Sequence, residues 1–420
     1  MTKDRDFLTT LFQAAISAAD PKEALRRHLP EPPKGRTIVI GAGKGAAQLG
    51  LAFEELWDGP FTGVIATRYG YAAPCKTLKV MEASHPVPDA AGLAAAQALR
   101  DSVSDMNEND LVIALITGGG SALLPAPPDG LTLDDEAALN EALLASGAPI
   151  SVMNKIRAEA SMIKAGRLAA LAYPAKVVSL IVSDVPGDDP AEVASGPTVP
   201  NQGSPGEALQ LAETYRIDLP PKIKAWIESG EGASPDPDGA VFAQNEVHVI
   251  ASARQSLDAA AQAAKAKGLP AVILSDAIEG EASDIGRMHA AIAREVVSHD
   301  QPFTRPVLLL SGGETTVTLS GSGGRGGRNT EFLLSMALDL DGIAGVTALA
   351  ADTDGIDGSE DNAGAFADGG TVERIRAQGA DPLALLAAHD AWGAFDAAGD
   401  LFVPGPTGTN VNDFRAILIR

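Results

Sequence analysis

The feature that most constrains the fold is a recurring join between a short apolar run and a glycine- or aspartate-rich turn. "TIVI" (37–40) leads into Gly41-Ala42-Gly43-Lys44, "DLVIALI" (110–116) into Thr117-Gly118-Gly119-Gly120-Ser121, and "VVSLIV" (177–182) into Ser183-Asp184-Val185-Pro186-Gly187-Asp188-Asp189. Further on, "AVIL" (271–274) leads into Ser275-Asp276, "LLL" (308–310) into Ser311-Gly312-Gly313-Glu314, and "VTALAA" (346–351) into Asp352-Thr353-Asp354-Gly355-Ile356-Asp357-Gly358. Apolar runs without polar alternation are strands buried on both faces. Alanine-rich segments of helical period, such as "AAGLAAAQALRDSV" (90–103), lie between them. Strands alternating with helices predict an α/β fold with mostly parallel sheets. Ligands in such folds bind beyond the carboxyl ends of the strands, so two sheets are expected to present these turns to one cleft.

A chain of 420 residues has room for two domains. The Pro/Gly-rich connector at 229–240 sets the expected boundary, giving an N-terminal Rossmann-like domain over 1–238 and a C-terminal domain over 239–420. The stretch 241–305 is compatible with either. A long helix is expected over 151–172 and a surface helix over the first twenty residues, not a signal peptide.

The formal charge of −23 removes the electrostatic attraction that nucleic-acid and anionic-membrane binders rely on. It also makes arginines inside a glycine-rich loop informative, because a random loop here would be acidic. The single cysteine, Cys75, excludes an internal disulfide and fits a reducing, cytoplasmic compartment. No apolar run reaches the ~20 residues needed to span a bilayer.

"GAGKGA" is not a P-loop, because Lys44 comes too soon and Gly45 follows it. Three readings stay open. One is a GxGxxA dinucleotide turn (Gly41, Gly43, Ala46), with Arg68 suited to a 2′-phosphate. Another is a plain tight turn, and the third is a lysine aimed at a phosphate from a helix start. "TGGGSALL" offers consecutive amides to an anion. Ser121 lacks a GxSxG elbow and a neighbouring base, which argues against a serine hydrolase. His85 is either a packing residue or a substrate contact. Asp184, Asp188, Asp189, Asp354 and Asp357 are either turn formers or hard oxygen ligands suited to Mg²⁺. In "GSGGRGGRN" the glycines let backbone approach a ligand, and Arg325 and Arg328 can neutralise phosphoryl oxygens.

Together, "VIGAGKGA", "EASHPVPDAAG", "TGGGSALL", "NKIRAEASMIKAGRLA", "SDVPGDDPAEVASGPT", "LLSGGETTVTLSGSGGRGGRNTE", "ADTDGIDG" and "GPTGTNVND" cover nearly the whole chain. In this order they resemble the class II glycerate 2-kinases, whose C-terminal part is the MOFRL domain. The resemblance implies two α/β domains around a cleft. It also implies ATP- and Mg²⁺-dependent phosphorylation of D-glycerate at the 2-hydroxyl. Carried over by motif, Lys44 and Arg328 form the charge-neutralising pair with Arg325 assisting, and Asp189 is a base candidate. Asp184, Asp188, Asp354 and Asp357 are the metal candidates. Substrate or nucleotide contacts would come from Gly43, Gly118, Gly119, Gly120, Ser121, His85, Asn154, Arg157, Lys164 and Ser183. Glu314, Asn329, Thr409, Asn410 and Asn412 would add to them, with Asp413 lining the cleft. The chain departs from the family's RKxLSxIKGG pattern, since Ala158 and Ala165 stand where lysine and glycine are usual. Some members carry the label hydroxypyruvate reductase, which makes an NAD(P)H-dependent reductase the rival reading. The expected partner is a small molecule, with neither nucleic acid nor membrane, and a homodimer is compatible.

Overall fold

The computed structural model describes residues 3–185, 187–319 and 323–420. Pro186 of the aspartate turn and positions 320–322 of the glycine/arginine loop lie outside the described residues. The chain forms two compact units, one of residues 21–250 and one of residues 251–420 together with the first twenty.

The unit over 21–250 is built on six strands: β1 (Thr37–Ala42), β2 (Thr62–Arg68), β3 (Lys79–Ala83), β4 (Leu111–Thr117), β5 (Lys176–Val182) and β6 (Glu246–Ala251). Their order is β3-β2-β1-β4-β5-β6, and β1 to β5 pair in parallel. Every residue of β1 and β4 is buried, as expected for strands sandwiched between helices. The strand order reverses between β1 and β4, the switch point where doubly wound folds bind ligands. "GAGK" and "TGGGS" therefore share one rim of the sheet. A separate helical core of Leu139, Leu143, Val152, Ile156, Ile223 and Ile227 holds the insertion between β4 and β5 and the helices after β5.

The helix expected over 151–172 is two helices, Ile150–Glu159 and Arg167–Leu171. Between them Ala165 (φ 55°) and Gly166 (φ 77°) turn left-handed. Their amides donate to Ser195 O at 3.0 Å and Gly196 O at 2.8 Å. A partner loop thus outcompetes the helical periodicity.

The second unit carries β7 (Ala271–Ser275), β8 (Gly280–Glu281), β9 (Val307–Gly313), β10 (Thr315–Thr316), β11 (Val346–Asp352), β12 (Gly364–Asp368), β13 (Leu401–Phe402) and β14 (Asp413–Ile419). The main sheet runs β13-β12-β11-β14-β9-β7. Only β7–β9 is parallel in it; the other pairings are antiparallel. The mostly parallel sheet expected of the N-terminal domain is found in the first unit, whereas here the antiparallel β11–β12 pair and the antiparallel insertion of β14 between β9 and β11 make the sheet mixed. The short β8 and β10 pair separately.

The helix Lys3–Ala18 belongs to this second unit. Leu8, Leu11, Phe12 and Ala15 pack with Leu257, Ala260 and Phe414, and Arg5 bonds Asp400 at 2.6 Å and Asp368 at 3.0 Å. The observed division at 250/251 also differs from the expected 238/239, because β6 completes the first sheet as its edge strand.

Candidate active site

In the first unit the turns after β1 and β4 are bonded to each other. Lys44 N donates to Gly118 O at 2.9 Å, and Gly45 N to Thr117 Oγ1 at 3.0 Å. Gly119 adopts φ 79°, the region that favours glycine. A Cβ there would meet Lys44 Cγ at 2.9 Å, Lys44 Cε at 3.0 Å and His85 Nε2 at 3.0 Å. Gly118 lies closer still to Asp184, whose Oδ2 would be 1.6 Å from an added Cβ. Lys44, His85 and Asp184 therefore converge on one bare stretch of backbone. Lys44 is half-buried and has no carboxylate partner among the described residues. Burial pushes the His85 imidazole below its ordinary value, and the charges of Lys44 and Arg68 push it the same way. His85 is thus neutral near pH 7. A half-buried unpaired ammonium beside consecutive amides is suited to an anion.

The rest of that unit's expected site divides. Ser121 Oγ lies 2.9 Å from Ser195 Oγ, and among the described residues no hydrogen bond joins it to a histidine, lysine or carboxylate, so the geometry gives a serine nucleophile no support. Asp189 is exposed, and its Oδ1 accepts from Ala191 N at 2.9 Å. Asp188 is held at φ 57°. Ser183 Oγ accepts from Val185 N at 3.3 Å. Lys164 is buried against Glu136 at 3.1 Å, and Arg157 bonds Asn140 at 2.7 Å and Asn154 at 3.1 Å. Lys164 is thereby engaged in an internal ion pair, not presented to solvent.

The second unit gathers charge around Arg328, the first residue of the helix Arg328–Asp339. Its Nε donates to Asp413 Oδ1 at 2.7 Å, Nη1 to Glu314 Oε1 at 2.7 Å and Nη2 to Asp352 Oδ2 at 2.8 Å. Burial alone would lower its pKa, but Asp413, Asp352 and Glu314 together hold it above the usual arginine value. Asp352 is raised well above the ordinary carboxylate range by burial and by the charge of Asp354. Glu314, Thr315, Arg328, Asp352 and Gly358 line a cavity of about 410 Å³.

Asp357 is fully engaged. Its Oδ1 accepts from Asn329 N at 2.9 Å and its Oδ2 from Thr330 N at 2.8 Å, so it caps the helix that carries Arg328. Both oxygens of this metal candidate are thus committed to backbone amides, although the residue also lines the cavity beside Arg328. Thr409 is likewise structural, its hydroxyl donating to Ala19 O at 2.9 Å. Asn329 Nδ2 donates to Asp413 Oδ1 at 2.8 Å, and Asn410 Nδ2 to Asp354 Oδ2 at 3.4 Å. Asn412 sits at φ 65°, where its carbonyl accepts from Thr353 Oγ1 at 2.7 Å. Arg325 lies over the Trp392 ring at 4.1 Å and faces Asp390 at 3.8 Å, fastening the glycine-rich loop to the helix Ala391–Ala398. Sequence reasoning missed Asp352 as a direct partner of Arg328 and passed over Arg415. The only signal for either was a charged residue within an apolar strand run.

Two family models match the chain. One, described as a domain of unknown function (DUF4147), covers residues 7–228, and the other, the MOFRL family, covers residues 307–413. A D-glycerate 2-kinase of Thermotoga maritima is 38% identical over 97% of both chains. The chain belongs to the MOFRL-containing glycerate kinase family. A glycerate kinase crystal structure from Thermotoga maritima superposes on it with a TM-score of 0.89 at 37% identity, covering 99% of each chain. A protein of Agrobacterium vitis with the provisional name hydroxypyruvate reductase is 49% identical over 99% of this chain and 94% of its own length.

Proposed function

We propose that this family member transfers the γ-phosphoryl group of ATP, in the presence of Mg²⁺, to the 2-hydroxyl of D-glycerate in the cytoplasm. The observation that carries the reading is Lys44 on the glycine turns, without a carboxylate partner among the described residues, in a chain so closely related to a D-glycerate 2-kinase. The glycerate 2-oxygen bonds to the γ-phosphorus while the bond to the β,γ-bridging oxygen breaks. The hydroxyl proton leaves through a carboxylate to water, and ADP departs. In the first unit Lys44 is the cation offered to phosphoryl oxygens, and the amides of 118–121 hold phosphate or the substrate carboxylate; in the second, Arg328 is the charge-stabilising cation with Arg325 assisting. Asp189 of the first unit and Asp354 of the second are the candidates for orienting the hydroxyl and for holding the metal.

Among the described residues no three or more His, Cys, Asp or Glu converge to hold a metal ion. A Mg²⁺ carried by the nucleotide needs only one or two protein carboxylates, which Asp184, Asp188 or Asp189 of the first unit, or Asp354 of the second, would supply. When bound, the ion neutralises charge on the β- and γ-phosphates.

The reductase reading keeps one specific support, the strand order with Gly41 and Gly43 at the switch point. Two parallel incubations separate the readings. One holds D-glycerate, ATP and Mg²⁺, the other hydroxypyruvate with NADH or NADPH. ADP and 2-phosphoglycerate in the first are expected. Cofactor oxidation in the second with nothing in the first overturns the kinase reading.

A further inference from the structure

Arg415 sits on β14 between β9 and β11 and is fully buried. Its Nη1 donates to Gly312 O at 3.2 Å and its Nη2 to Thr315 Oγ1 at 3.2 Å, and Nη2 also bonds Asp413 Oδ2. The guanidinium lies 5.2 Å from the centre of the Phe332 ring, and its Nε has no hydrogen-bond partner among the described residues. An arginine taken wholly out of water costs stability unless its charge is matched, so its retention calls for a physical reason.

Asp413 supplies one. Its two oxygens face opposite ways. Oδ2 takes Arg415 and, at 3.4 Å, the amide of Thr315. Oδ1 takes Asn329 Nδ2 and Arg328 Nε. Arg415 thus anchors the back of the carboxylate that fixes the front arginine. It also adds the second positive charge in a cluster where Glu314, Asp352 and Asp413 otherwise surround one.

We infer that Arg415 is a positioning residue for phosphoryl transfer: it holds the Asp413 carboxylate in its orientation, and through Asp413 it sets the side-chain angle of Arg328. The inference rests on the kinase reading above. Replacement by methionine leaves Asp413 Oδ2 with only the long amide contact. The carboxylate then rotates toward other donors, and Arg328 loses the bond that fixes its Nε. Lysine at 415 restores the charge but not the fork that reaches Gly312, Thr315 and Asp413 together.

The test is a double-mutant cycle with an independent structural readout. Arg415→Met should lower kcat on glycerate about 10²-fold, the scale of an ångström-level misplacement, with KM little changed. Arg415→Lys should recover part of that loss. In the Arg328→Ala background, Arg415→Met should add almost nothing, because its effect runs through the missing group. Losses that multiply in the double variant, or an unchanged kcat in Arg415→Met, overturn the inference. In parallel, NMR of protein labelled with ¹⁵N-arginine should show a slowly exchanging Nε–H signal absent from Arg328→Lys, which assigns it to Arg328. That signal should exchange fast in Arg415→Met, and its retention also overturns the inference. If the unmodified protein phosphorylates no glycerate, the kinase reading falls, while the Arg328 signal still decides whether Arg415 controls it. Should the methionine variant fail to melt cooperatively, the lysine variant carries the same measurements.

Discussion

The two units prepare for charged ligands by opposite means. Around Lys44 the walls are backbone: two glycines remove the side chains that would block Lys44, His85 and Asp184, and the ammonium has no carboxylate partner among the described residues. Around Arg328 the walls are side chains, and three carboxylates already claim every edge of the guanidinium. The first arrangement is an open positive site. The second is a rigid mount, in which the exposed Glu314 is the one partner that can be exchanged for a ligand anion. An open cation binds and a mounted one orients.

The largest expected effect separates those two roles. Arg328→Ala should cut turnover roughly 10³-fold, the scale of a charge-stabilising arginine in phosphoryl transfer, while thermal unfolding stays cooperative. Near-normal kcat in that variant would break the assignment. Next, Gly119→Ala should act on the open site alone. The left-handed backbone costs an alanine about 1–2 kcal/mol, and its methyl displaces Lys44 and His85. The expected loss in kcat/KM is on the order of 10²-fold, with the second unit's melting unaffected. A fully active Gly119→Ala would show that the bare backbone is not what the site uses.

How far these sites could be read in advance follows the same divide. β1, β4 and β5 are legible because their apolar runs are continuous and their turns are local chemistry, so the Lys44 site follows from one strand-turn-helix reading. β14 was not legible, because "DFRAILI" carries Asp413 and Arg415 at positions that a buried strand would ordinarily leave apolar. Those charges make sense only once Arg328, distant in sequence, is bonded to Asp413, which in turn holds Arg415. Asp357 looked like a ligand for the same reason: its amide partners at Asn329 and Thr330 come from another element. The break at Ala165 likewise depends on the carbonyl of Ser195.

Smaller effects sharpen the contrast. His289 is buried in the second unit, where its ring contacts Ile285 O and, at 3.0 Å, Ser311 Oγ. Burial brings its pKa down from 6.5 to about 4. The unfolded chain therefore binds the proton more readily between those values, so stability rises with pH from about 4 to 6.5 and is complete above that. The span corresponds to roughly 3 kcal/mol. Denaturant titrations at pH 7 and 4.5 should show a loss on acidification that His289→Gln reduces. An unchanged pH slope in the variant would remove His289 from the account. The smallest effect belongs to the first unit. Ala165 at φ 55° occupies a conformation that glycine adopts without strain, and Ala165→Gly should raise stability by about 0.5–1 kcal/mol. A lower melting temperature in that variant would mean the methyl contributes more through packing than the backbone loses.

The position of β14 has a consequence for synthesis. It is synthesised after both β9 and β11, yet it inserts between them. Until it arrives, both of those strands expose unpaired edges, open templates for a neighbouring nascent chain. A message cut short before codon 413 would yield a finished first unit tethered to an adhesive half-sheet, so synthesis of β14 closes the window for aggregation.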